Sequence, residues 1–183
     1  LDPNGEDLAA GIKRMGGDTT QLPAVVRDDI RASLELHIEQ GRVLETAKQD
    51  IGVVTNIVGI MRLEITVTGL ADHAGTTPMD LRRDALSGAV DIVAAIRDRA
   101  RELAARDQGY FVATTGEFEI QPGAANVVPR EVRLVIDVRA EAPDLMREFL
   151  AFVQSELAPL AIAQGAEIRD LKILSDSAHT ECD

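Results

Sequence analysis

Between residues 51 and 174 the spacing of apolar side chains changes period in a fixed order, and that order leaves few folds open. Leu63, Ile65 and Val67 alternate with polar neighbours, the pattern of a strand with one buried face. Over 83–105 the apolar residues Leu86, Val90, Val93, Ile96, Ala100 and Leu103 step by three and four, so a helix would carry them as one stripe. Residues 110–120 and 131–139 return to strand patterning on either side of a turn region at Pro122-Gly123. A second helix is predicted over 144–164, with Leu145, Phe149, Phe152, Val153, Leu157 and Leu160 facing inward, and a last strand over 166–174. Strand, helix, strand, strand, helix, strand is satisfied by two helices on one face of a four-stranded antiparallel sheet. The expected fold is therefore α+β, a ferredoxin-like two-layer sandwich.

Upstream, short helices are predicted around 7–16 and 22–32, then a strand over 34–39 and a turn of helix near 43–49. The strand matters for chemistry. If Leu34, Leu36 and Ile38 share a buried face, Glu35, His37 and Glu39 share the other, and Gly41 ends the run. Neutral imidazole is a common metal ligand, and a neighbouring carboxylate can bind the same ion or fix the ring by a hydrogen bond. A solvated polar face would give the same spacing. A second polar cluster, Asp72-His73-Ala74-Gly75-Thr76-Thr77, follows a strand and precedes a helix, so His73 falls on a loop of small residues of the kind that carries binding groups.

Composition narrows the class. The 183 residues, 45% of them hydrophobic, can bury one modest core plus a flanking segment. The single cysteine, Cys182, excludes an internal disulfide and points to a reducing, cytoplasmic setting. No apolar run approaches a membrane span, and no signal peptide opens the sequence, so no membrane association is expected. A net charge of −12, with one Tyr, four Phe and no Trp, argues against nucleic acid as a partner.

Several blocks together resemble the M20 family of metal-dependent amidohydrolases and peptidases, in particular its branch of N-carbamoyl-L-amino acid hydrolases and allantoate amidohydrolases. They are His37-Ile38-Glu39-Gln40-Gly41 with Val43-Leu44-Glu45, Ile51-Gly52-Val53-Val54, and His73-Ala74-Gly75-Thr76-Thr77-Pro78-Met79 with Arg83-Asp84-Ala85-Leu86. Pro122-Gly123-Ala124, Asn126-Val127-Val128-Pro129 and Asp137-Val138-Arg139 follow in the family's order. The resemblance implies two divalent metal ions per active site (zinc, manganese, cobalt or nickel) held by five ligands, of which only His37 has a counterpart here. The sequence thus reads as an internal fragment of a larger enzyme, inactive alone. Residues 1–50 would belong to the metal-bearing α/β catalytic domain, 51–174 to the lid or dimerisation domain, and 175–183, including His179, to the return linker.

The same resemblance implies roles. His37 would be a terminal metal ligand and Gln40 a substrate contact. His73 would stabilise the oxyanion on the attacked carbonyl. Asn126 and Arg139 would hold the substrate's amide and carboxylate, the arginine through its planar fork. Gly123 is counted on the substrate side, although a glycine there also serves the turn. The implied reaction is metal-assisted hydrolysis, with a general base outside this sequence. The substrate would be an N-carbamoyl-L-amino acid, or alternatively allantoate. The implied assembly is a homodimer through the lid, with the His73 loop reaching the partner's active site. A noncatalytic ferredoxin-like module, binding an amino acid or only self-associating, is the reading from another class; it leaves His37, His73, Asn126 and Arg139 as separate accidents.

Overall fold

The computed structural model describes residues 5–25 and 27–182, in two units, Leu1–Gly52 and Val53–Asp183. In the first unit, α1 (Leu8–Arg14) begins where the Asp7 carboxylate accepts the Ala10 amide at 2.7 Å, the usual remedy for an unsatisfied helix N-terminus. The helix expected over 22–32 is instead a 3-10 segment, Thr19–Val25, containing Pro23. Residues 27–32 are not helical, and Leu22 and Ile30 are 50% and 60% exposed; a short helix with no layer to pack against is marginal in water. The 34–39 segment is a second correction. It is not paired as a strand, and Leu34 and Leu36 are 99% and 95% exposed. Alternation buries a face only when a neighbouring strand and a covering layer exist, and the described residues of this unit supply neither. α2 (Val43–Ala47) forms where a turn of helix is expected.

In the second unit β1 (Asn56–Ile57) precedes β2 (Gly59–Thr68), α3 (Ala85–Ala104), β3 (Phe111–Gln121) and β4 (Glu131–Ala140). Then come α4 (Pro143–Glu156), α5 (Ala158–Ala163), β5 (Glu167–Ser177) and β6 (Thr180–Glu181). The sheet runs β3-β4-β2-β5, antiparallel throughout, with the helices packed on one face: the ferredoxin-like sandwich. Met61, Leu63, Ile65 and Val67 on β2 and Val132, Leu134, Ile136 and Val138 on β4 point into the core, where Ile92, Ile96 and Leu103 of α3 and Leu145, Phe149 and Val153 of α4 meet them. Each such side chain, taken fully from water, contributes about 1.5–3 kcal/mol.

The helix phases differ from expectation in two places. On α3 the buried stripe runs through Ala85, Ala89, Ile92, Ile96, Ala100 and Leu103, and Val90 is turned to solvent. The expected 144–164 helix is two helices joined at Leu157. Pro159 lies in the first turn of α5, where its missing amide hydrogen costs nothing; within one continuous helix it would clash with the preceding turn. Phe152 and Leu160 are only partly buried, and Met146 and Ala161 take the core positions.

The sheet's other face is polar. Arg133 joins Glu64 and Glu117 at 2.7 Å each, and Asp137 accepts from Arg62 and Arg139. The first and last strands of this unit lie side by side: Asn56 pairs with Glu181, Ile57 with Thr180, and the Cys182 amide donates to the Thr55 carbonyl at 3.0 Å. Among the described residues no helix is long and apolar enough to cross a membrane.

Candidate functional site

The chain leaves β2 at Thr68 into a joint that only glycine fits. The Gly69 amide donates to the Arg130 carbonyl and the Leu70 amide to the Arg83 carbonyl, both at 2.8 Å. A Cβ on Gly69 would lie 2.0 Å from that Arg83 oxygen. Nearby, Asp84 caps α3 through the amides of Leu86 and Ser87, and the Ala85 amide donates to the Pro129 carbonyl. Strand end, helix start and the Pro129 segment are thus tied together, and the two polar loops grow from this knot.

The loops run antiparallel. The Val128 amide donates to Asp72 O at 2.8 Å and the Ala74 amide to Asn126 O at 2.9 Å, with His73 bridged to Val127. His73 and Asn126, 53 positions apart by their numbers, are neighbours at one end of the sheet, and both are exposed. The His73 carbonyl accepts from the amides of Thr76 and Thr77 and from the Thr77 hydroxyl, closing a tight turn. The Gly75 amide donates to His73 Nδ1 at 3.0 Å. A ring nitrogen that accepts from an amide carries no hydrogen, so the neutral imidazole holds its proton on Nε2, which has no partner among the described residues. That is an outward-facing donor on a short, well-tied loop. Gly123 has φ of 69°, a left-handed conformation that fits its part in the turn after Pro122.

Arg139 lies elsewhere. It pairs with Ile60 and Val112 at the far end of β4, whereas the Asn126 loop enters β4 at Glu131. Eight steps of strand separate those ends, about 26 Å. Arg139 Nε donates to Asp137 at 2.8 Å, and its two terminal nitrogens have no partner among the described residues, leaving an open fork. Arg62, on the same Asp137, holds that carboxylate in place. Burial would raise the Asp137 pKa, and the two guanidiniums outweigh it and hold the carboxyl below its ordinary range.

In the other unit, His37 Nδ1 lies 2.8 Å from Glu35 Oε1. This leaves Nε2 as a donor for an ion, with Glu35 fixing the ring. Glu39 does something different: it accepts the amides of Val43 and Leu44 and caps α2. Gln40 has φ of 56°, uncommon for a residue with a Cβ, and its side chain is exposed. Among the described residues no three His, Cys, Asp or Glu side chains gather to hold a metal ion, so His37 fits as one donor only.

His179 lies between β5 and β6 and lines an open cleft of about 440 Å³ with Met61, Met146 and Leu150. One further residue carries no motif or spacing signal. Arg82, partly buried, donates to the carbonyls of Thr77 at 3.1 Å and Ala74 at 2.6 Å. Its only sequence signal is its place two residues before the Asp84 cap.

Residues 55–163 match the peptidase dimerisation domain of the M20 type. The sequence is 42% identical over 140 residues to an N-carbamoyl-L-amino acid amidohydrolase of Geobacillus stearothermophilus, covering 75% of this chain and 33% of that protein. It is 38% identical over 156 residues to the allantoate amidohydrolase of Escherichia coli K12, covering 85% and 37%. A solved amidase of the hydantoinase/carbamoylase family from Burkholderia multivorans superposes with a TM-score of 0.83 at 33% identity, covering all of this chain and 43% of that one. The chain spans about two fifths or less of the length of these curated relatives.

Proposed function

The chain belongs to the M20 family through its peptidase dimerisation domain, and from that premise we propose that it is the lid and dimerisation part of a metal-dependent amidohydrolase acting on N-carbamoyl-L-amino acids. Residues 51–174 form the lid, 1–50 belong to the metal-bearing domain, and 175–183 lead back to it. The observation that carries the reading is the pairing of His73 and Asn126 on hydrogen-bonded loops, with the His73 proton on the outward Nε2. The first two relatives described above point to cleavage of a C–N bond next to a carbonyl.

Each residue then has a task. Held by Gly75, His73 offers Nε2–H to the carbonyl oxygen as negative charge develops there, a donor in place before the reaction needs it. Asn126 contacts the substrate amide. Arg139 takes the carboxylate with the two nitrogens that Asp137 leaves free. Because about 26 Å of strand separates Arg139 from the His73 end, a single small substrate cannot meet both in one lid. In the dimer the Arg139 of one protomer works with the His73 and Asn126 of its partner. A divalent ion, when bound, would polarise the carbonyl and activate the attacking water. His37 Nε2 would be one of its donors, and Gln40, on the adjoining turn, contacts substrate. The single exposed Cys182 fits a reducing cytoplasm.

Allantoate is the second reading, since the Escherichia coli relative named for it is nearly as similar. Assay of the full-length parent with one divalent metal, against an N-carbamoyl-L-amino acid series and allantoate, separates the two. Turnover of neither substrate refutes the proposal.

A further inference from the structure

We infer that Arg82 is a positioning residue that sets which nitrogen of His73 carries the proton. The inference rests on the oxyanion role given to His73 above. Arg82 Nη2 donates to the Ala74 carbonyl at 2.6 Å, and the Gly75 amide donates to His73 Nδ1 at 3.0 Å. These are the two ends of one peptide unit. A trans peptide is planar, with its oxygen and hydrogen on opposite sides, so a guanidinium fixed on the oxygen aims the hydrogen at the ring. A cation on the carbonyl also polarises the amide and makes its N–H a stronger donor. Rotation of this one peptide would break both bonds.

Arg82 is itself anchored. Its Nε holds the Thr77 carbonyl at 3.1 Å, and the next two residues are tied to the end of α5. Arg83 Nε donates to Gly165 O at 3.2 Å and the Asp84 amide to Gln164 O at 3.3 Å. Gly75 makes room for the ring against this peptide, since a Cβ there would lie 3.1 Å from His73 Cε1. The chain of support therefore runs from α5 through Arg82 and one peptide plane to the imidazole.

The test is a long-range 1H–15N spectrum of the 183-residue chain labelled uniformly with 15N, with His73 assigned by loss of its signals in His73→Gln. In the wild type His73 shows one tautomer, with the proton on Nε2. In Arg82→Met the two ring nitrogens become averaged, and the Gly75 amide exchanges with solvent at least about tenfold faster. An unchanged tautomer pattern and unchanged Gly75 exchange overturn the inference. If Arg82→Met fails to fold, Arg82→Lys decides: one ammonium cannot reproduce the fork, so Gly75 exchange rises about threefold or more, and no rise refutes the coupling. In the full-length parent Arg82→Lys lowers kcat with KM unchanged. Altered spectra with normal kcat would leave the positioning standing and remove the oxyanion role of His73.

Discussion

Replacing Gly69 by alanine tests whether the joint between β2, α3 and the Pro129 segment is as tight as the backbone makes it. The added carbon would sit 2.0 Å from the Arg83 carbonyl oxygen, 2.9 Å from the Ala85 nitrogen and 2.9 Å from the Arg83 carbonyl carbon. All three are backbone atoms, so no side chain can swing away. Overpacking of this kind costs about 3 kcal/mol when the surroundings are rigid. Displacing Arg83 also weakens the Leu70 to Arg83 hydrogen bond, about 1 kcal/mol more. The expected loss is thus about 4 kcal/mol, a large share of the roughly 5–15 kcal/mol that holds a domain together. At a urea slope of about 2 kcal/mol/M, the midpoint followed by far-UV circular dichroism falls by about 2 M with the slope unchanged. Gly116→Ala is the control, since a Cβ there meets nothing within 4 Å and the residue lies outside the left-handed region. It should stay within about 0.5 kcal/mol of wild type. If the two variants unfold at the same urea concentration, the close approach at Gly69 is not what fixes this joint.

Acid should weaken the sandwich through the polar face of its sheet. Arg133 holds the Glu64 carboxyl below the ordinary range, so the stabilisation is present above the ordinary carboxylate pKa and is lost as pH falls through the lowered one. Arg133→Met should flatten that acid limb in thermal melts, and an identical limb would discount the pair. In the full-length parent, His73→Ala should lower kcat by about 100-fold or more, whereas Arg139→Lys should chiefly raise KM; near-normal constants in both would leave them scaffold residues. The 183-residue chain should sediment at micromolar concentration with about twice its own 19.7 kDa, and a mass near one chain would remove the shared site.

The sandwich was legible because its strands and helices announce themselves by period, and six elements in that order admit few arrangements. What failed were matters of phase and partnership. Val90 and Ile92 are both apolar and both compatible with a helical stripe, and only the packing against the sheet chooses Ile92. Pro159 marked the break in the long helix, but a proline in a first turn and a proline inside a helix look alike until the turn is located. Alternation at Leu34, Leu36 and Ile38 described a strand whose covering layer the described part of that unit does not contain. His73 and Asn126 meet through backbone hydrogen bonds, which leave no trace in side-chain identity. The distance from Asn126 to Arg139 is implicit in the sequence, since a strand that starts at Glu131 carries Arg139 far from that end. Among the described residues Arg82 donates its hydrogen bonds to carbonyl oxygens, and a residue bonded to main chain shares no motif with what it supports.

The pairing of β1 with β6 has an architectural consequence. A unit whose first and last strands are hydrogen-bonded neighbours presents itself to any host chain as one long excursion from a single point. Its insertion asks the host to hold two residues only a strand spacing apart, and the entropy of closing such an excursion grows slowly with its length. The ribbon therefore makes the sandwich portable: it could be removed and its stumps joined by a tight turn, or grafted onto a hairpin of an unrelated scaffold, with the His73 and Asn126 loops carried along intact.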